Sequence, residues 1–194
     1  MEYIRPPMAT PTMLEREVKL RFASVEEARA AVHAAGAVPS RCRRLQEDAL
    51  LDTEDESLRH RRCVLRIRTE SGKSLLTFKG PVLPGSMKVR DEYETVIGDG
   101  EVVQRVLEEV GLHVWFRYEK YREEYAAEDV TIAIDETPVG TFVEIEGGEE
   151  GILAIAKALG RAPSDFLLDS YRALFVKHRE EFGLTGTNMV FSEE

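Results

Sequence analysis

Fourteen charged residues stand out, because most of them recur at every second position of short runs. They are Glu15, Glu17 and Lys19; Arg66 and Arg68; Lys79; Arg90, Glu92 and Glu94; Lys120 and Arg122; Asp135; and Glu144 and Glu146. Seven are acids and seven are bases. A period of two puts such residues on one face of a strand. Their signs are grouped. Bases dominate the central runs, and acids gather in the first run and at Asp135, Glu144 and Glu146. Arg and Lys hold phosphate oxygens, whereas carboxylates hold Mg²⁺ or Mn²⁺. A basic zone beside an acidic zone therefore suits a metal-chelated polyphosphate.

These residues need strands to position them. Leu14 to Phe22 alternates, with Leu14, Val18, Leu20 and Phe22 opposite Glu15, Glu17, Lys19 and Arg21. Further strands are predicted at Gln46–Asp52, Val64–Thr69, Leu75–Lys79, Val89–Ile97, Val114–Tyr125, Val130–Asp135 and Thr141–Glu146. Ser71-Gly72-Lys73 and Thr137-Pro138-Val139-Gly140 read as tight turns. Ser24 and Glu27 form a capping box that opens a helix ending at Gly36. Asp99 to Gly111 has helical spacing of Val102, Val103, Val106, Leu107 and Val110. Two more helices are predicted at 149–159 and 164–181, ended by Gly160 and Gly183. About eight strands joined by short turns favour antiparallel pairing and an α+β class.

Two arrangements of the charged face are open at this point. A flat sheet could show it to water, with cross-strand ion pairs each worth only fractions of a kcal/mol. Alternatively, the sheet curls into a barrel with the apolar side outward, under the helices. About eight tilted strands can close around a small ligand. Charge inside a dry, empty barrel would be costly, so such a barrel implies water, metal ions or a polyanion within.

Taken in order, these runs resemble the CYTH superfamily, the triphosphate tunnel metalloenzymes. The resemblance opens on Glu15-Arg16-Glu17-Val18-Lys19. It continues through Leu65-Arg66-Ile67-Arg68, Leu76-Thr77-Phe78-Lys79-Gly80, Arg90-Asp91-Glu92-Tyr93-Glu94 and Lys120-Tyr121-Arg122. It closes on Asp135, Val139 to Gly147, and Ser170-Tyr171. It spans roughly residues 13 to 180. It implies an eight-stranded antiparallel β-barrel, a tunnel, with helices packed outside. It also implies Glu15, Glu17, Glu144 and Glu146 as metal ligands, with Asp135 sharing that role. Lys19, Arg66, Arg68, Lys79, Lys120 and Arg122 would hold the triphosphate, with Arg90 as a further phosphate contact. Glu92 and Glu94 would lie across the tunnel, orienting bases or binding a second metal. Glu15, Glu17 and Lys19 would be the catalytic group, with water activated near the two acids attacking the terminal phosphorus. The chain departs from the pattern at Leu50-Leu51, where relatives often carry Tyr or Phe; this reads as a packing change.

What remains bounds the function. A net charge of −10 argues against general nucleic-acid binding. No apolar run approaches the ~20 residues of a membrane helix, and residues 1–12 do not read as a secretory signal. Pro6, Pro7 and Pro11 suggest a disordered tail there, and the true start could be Met8 or Met13. The tunnel domain is expected over 13–183, with a loose C-terminal tail from 184 to 194. Cys42 and Cys63 fit a reduced, cytoplasmic protein. Trp115, Phe116 and Tyr118 read as packing, and the scattered His33, His60, His113 and His178 suggest no metal triad. Three functions follow. One is hydrolysis of inorganic, thiamine or nucleoside triphosphate. Another is a class IV-type adenylate cyclase. The third is a non-catalytic polyphosphate-binding module. Mg²⁺ or Mn²⁺ is the expected cofactor and a small triphosphate the expected partner. Homodimerisation is left open.

Overall fold

The period-two runs become strands with a wet face and a dry face, and the dry face decides how they close. In a computed structural model, which describes residues 13–191, eight strands and five helices follow one another. The order is β1 (Met13–Phe22), α1 (Val25–Ala34), β2 (Val38–Thr53), α2 (Ser57–His60), β3 (Val64–Glu70), β4 (Lys73–Lys79) and β5 (Lys88–Ile97). Then come α3 (Gly100–Glu109), β6 (Leu112–Ala127), β7 (Val130–Thr137), β8 (Gly140–Glu146), α4 (Glu149–Ala158) and α5 (Tyr171–His178). The tail expected at residues 1–12 lies outside the described residues.

All the strands pair antiparallel in one closed barrel, in the order β1-β5-β4-β3-β2-β6-β7-β8. The apolar side faces out and is covered. Val18 and Leu20 of β1, Ile132 and Ile134 of β7, and Val143 and Ile145 of β8 are buried against Ala28 and Val32 of α1 and Ile152 and Ala156 of α4. Burying one such aliphatic side chain stabilises by about 1.5–3 kcal/mol. This cluster therefore fixes which face of each strand turns inward, and every charged partner at the alternate positions follows. Helix α3 can approach β3 and β4 because it begins on Gly100. A Cβ there would lie 2.6 Å from Ser74 Oγ. Gly140, at φ +120°, makes the β7–β8 turn.

Four expectations are corrected. Strand β2 starts eight residues earlier than Gln46, because Arg41, Arg43 and Arg44 find carboxylates on β3, β6 and β7 that the sequence pattern does not display. Helix α2 has no counterpart among the predicted helices. It forms because the buried Asp52 carboxylate accepts the backbone N–H groups of Thr53, Leu58 and Arg59 at 2.8, 2.9 and 3.1 Å. The final helix begins at Tyr171 rather than 164, where Ser170 accepts from the Ala173 N–H. Residues 184–191 are docked, not loose. Met189 is fully buried and exchanges backbone hydrogen bonds with Arg117 and Glu119 of β6. It pairs where β6 has not yet met β7, whose register starts at Tyr121.

Candidate active site

Inward turns from all but one of the eight strands leave a cavity of about 610 Å³. Twelve Lys and Arg and nine Asp and Glu side chains line it, a surplus of three positive charges in a chain whose net charge is −10. The interior thus has the opposite sign to the molecule. Of the residues named from the sequence, all but Asp135 line this cavity. Asp135 sits behind its wall.

The residues meet as alternating ion pairs. Lys19 Nζ is 2.9 Å from Glu17 and 3.0 Å from Glu144. Arg122 reaches both Asp135 and Glu144, and Lys120 donates to Asp135 at 2.8 Å. Lys79 bridges Glu15 at 2.6 Å and Glu92 at 2.7 Å, and Arg90 donates to Glu15 at 2.8 Å. Arg66 lies 3.3 Å from Glu94. Burial would strip charge from each group alone, but the neighbours reverse that. Glu17 and Glu144 are held well below the usual carboxylate range by Lys19 and the adjacent bases. Lys19 is raised by Glu144 and Glu17. Lys120 runs the other way. Burial and then the Arg122 charge bring it down to about 8.

Glu146 differs from the other acids. It is in none of the salt bridges or hydrogen bonds formed by the described residues, and its tip reaches solvent. Even so, the surrounding protein desolvates it, and the charges of Glu15 and Glu17 add repulsion. Together they push it up to about 7. The carboxylate end of the cavity therefore carries more negative charge than its own bases absorb.

Sequence reasoning missed several residues that the site uses. Asp48 holds Arg68 through both oxygens, at 2.9 and 3.2 Å. Lys88 donates to Glu17 at 2.7 Å, with burial and then Lys19 bringing it down to about 8. Glu70 accepts from Arg41, Arg44 and Gln46. Each continues an alternation already visible: Lys88 precedes Arg90 by two, Glu70 follows Arg68 by two, and Asp48 lies inside a strand already predicted. Tyr171, expected only as part of the Ser170-Tyr171 resemblance, takes a place in the ion-pair network. Tyr171 donates its hydroxyl to Asp135, while Lys120 Nζ lies 4.6 Å from the Tyr171 ring centroid. Asp135 thereby takes three protein donors, Lys120, Arg122 and Tyr171.

A closed antiparallel barrel with a basic, carboxylate-flanked interior defines the class, and the chain belongs to the CYTH family: the CYTH domain model matches residues 13–159. Members of this family include adenylate cyclases and triphosphatases, and they are generally dependent on divalent metal. A Methanocaldococcus jannaschii protein provisionally named adenylate cyclase MJ0240 is 30% identical over 143 residues, covering 68% of this chain and 82% of that one. The crystal structure of a Vibrio parahaemolyticus protein, also provisionally named an adenylate cyclase, superposes with TM-score 0.73 at 20% identity. It covers 84% of this chain and 98% of that one. A Hippeastrum protein, HpAC1, superposes with TM-score 0.61 at 21% identity, over 84% and 95% of the two chains. It is described as a provisional adenylyl cyclase with a dominant triphosphatase activity. The last two comparisons bear on fold alone. Tyr171 and Arg172, both lining the cavity, lie beyond the matched span.

Proposed function

We propose that this protein is a metal-dependent triphosphatase that removes the terminal phosphate of inorganic, thiamine or nucleoside triphosphate inside the barrel. The observation that carries the reading is the buried set of Lys19, Arg66, Arg68, Lys79, Lys88, Arg90 and Lys120, joined by the half-buried Arg122, around one cavity of inverted charge. Phosphoryl transfer is mainly positioning and charge stabilisation. A unit-charge pair at ~4 Å is worth about 4 kcal/mol at an effective dielectric of 20, before desolvation. The bases are pre-aimed by acids, so little reorganisation remains for the substrate to drive. Asp135 acts here as an anchor for Lys120 and Arg122 rather than through ligation.

Divalent metal fits the donor chemistry. Among the described residues no three His, Cys, Asp or Glu side chains are gathered as a ready cage. The carboxylates of Glu15, Glu17 and Glu144 are instead held by bases, and Glu146 carries the repulsion of its acidic neighbours. A bound triphosphate competes for those bases and releases the carboxylates, so Glu15, Glu17, Glu144 and Glu146 would hold the ion. Mg²⁺ or Mn²⁺ would supply charge neutralisation on the phosphate oxygens and a lowered water pKa. Lys19, set between Glu17 and Glu144, keeps a proton and a positive charge where the phosphate enters.

A cyclase converting ATP to cyclic AMP and pyrophosphate is the second reading, favoured by the name of the Methanocaldococcus relative. Hydrolysis asks less of the site, since it needs no aligned ribose. The test is a substrate panel with Mg²⁺ and with Mn²⁺, quantifying phosphate, pyrophosphate and cyclic AMP. Phosphate release without cyclic AMP is expected. Equal cyclic AMP and pyrophosphate from ATP would replace the triphosphatase reading with the cyclase. Tight binding of every substrate with no turnover would leave a binding module.

A further inference from the structure

Ten of the twelve basic side chains lining the cavity have a carboxylate within salt-bridge distance. The two without one among the described residues are Arg62 and Arg172. Both belong to the end of the cavity built by the last turn of β2, the start of β3 and the start of α5. Arg172 is half-buried, with its guanidinium carbon 5.1 Å from the Phe116 ring centroid and 5.9 Å from that of Phe175. Its Nη1 is buried with no hydrogen-bond partner. Ring faces offer it attraction but no neutralising charge. Arg62 is exposed beside Cys63 and Val64 of the cavity wall. Arg59 adds a third guanidinium, already engaged by Asp52 and Glu56 at 3.0 and 3.1 Å. Burial, followed by the charges of Arg179 and Arg59, holds Arg172 below its ordinary range.

We propose that Arg172 and Arg62 form a second anion subsite at this mouth, which takes a phosphate of a linear polyphosphate beyond the three held in the barrel. The proposal rests on the triphosphate reading above and extends it toward substrates of four or more phosphates. The cations inside the barrel are balanced by acids that a metal can take over. These two have nothing to exchange, so an incoming phosphate gains their charge without displacing a carboxylate. A flat base stacked on Trp115 fits the mouth less well, because the Arg59 guanidinium already lies 4.3 Å from the centroid of that ring. Both arginines stand apart from the charged series that marks the family, and Arg172 lies past the matched span.

The experiment compares equilibrium binding of inorganic tetraphosphate and inorganic triphosphate in metal-free buffer, where turnover does not interfere. The full chain should prefer tetraphosphate by about ten-fold. Arg172→Gln with Arg62→Gln should bring the two anions within about two-fold of each other, while changing triphosphate affinity little. Arg172→Lys should keep part of the preference, since it retains charge. Arg62→Gln alone acts on an exposed side chain and should remove part of the preference without disturbing packing. A full chain with no preference, or variants that weaken both anions equally, would overturn the subsite and leave the triphosphate reading standing. If the full chain bound neither anion, that reading would fail and the subsite with it.

Discussion

The two walls of the barrel are built differently. The wall made by β6, β7, β8 and β1 is sealed on both sides. Its outer face is covered by α1 and α4, and on its inner side Lys19, Lys120 and Asp135 are 2%, 1% and 0% exposed. The wall made by β3, β4 and β5 is covered less fully, with α3 packed only on its β3 and β4. Phe78 and Leu76 are half-buried on its outside, Tyr93 is exposed, and Glu94 reaches solvent at the rim. The first wall spends its carboxylates on fixing bases: Asp135 alone takes Lys120, Arg122 and Tyr171. On the second, Lys79 and Arg66 also pair with Glu92 and Glu94, acids that water reaches. One wall is therefore a rigid template for charge, and the other can yield as a polyanion enters.

The largest effect should come from the sealed wall and its seam with β5. Glu17→Gln is expected to lower turnover at least ~10³-fold, with metal-free triphosphate binding retained and the circular dichroism spectrum unchanged. Equal loss of binding and turnover would instead assign Glu17 to binding alone. Arg122→Ala is expected to lower kcat/KM by ~10²–10³-fold, and Lys79→Ala on the second wall by less, as read by steady-state kinetics. Equal losses would erase the distinction between walls.

Stability should separate the walls next. Asp135→Asn leaves Lys120 and Arg122 buried with half their anchor, so urea denaturation should show a loss of about 3–5 kcal/mol. Glu94→Gln, at the rim, should cost under ~1 kcal/mol. Hydrogen exchange should find the amides of β7 and β8 more slowly exchanging than those of β4 and β5; the reverse order would overturn the comparison.

The smallest effect is one of pH. Glu70 has its folded-state pKa brought down to about 2, against burial, by Gln46, Arg41 and Arg44. Its contribution is fully present above the unfolded-chain value of 4.5 and is lost as pH falls through about 2. Acid denaturation of Glu70→Gln should be less steep in that window than that of the parent chain. An unchanged slope would place the acid sensitivity elsewhere.

Period two made much of this legible. Once Glu15, Glu17 and Lys19 alternate with Val18 and Leu20, only the choice between flat sheet and barrel remained, and the buried aliphatic cluster of the outer face made that choice. What escaped was long-range. Arg41 and Arg44 look like a surface run until Glu70 and Glu124, on other strands, are brought to them. Asp52 shows as the end of a strand and not as a cap, because its capping of α2 depends on backbone geometry rather than on composition. Tyr171 joins the site through a segment that hydrogen-bonds to Lys19, with Leu167 N–H donating to the Lys19 carbonyl at 2.9 Å. No local pattern announces a contact across nearly 150 positions.

The barrel closes on its first strand. Strand β1 pairs with β5 on one side and with β8 on the other. During synthesis, then, the Glu15-to-Lys19 segment emerges before the rest of the barrel and is completed last, since Glu144 and Glu146 are made well over a hundred residues later. Until then β1 has one neighbour at most, and its alternating charges keep a solitary strand soluble. Such non-local closure makes for slow folding. The same acids and bases that shape the cavity thus also serve the nascent chain, as the reason its earliest strand can wait in water.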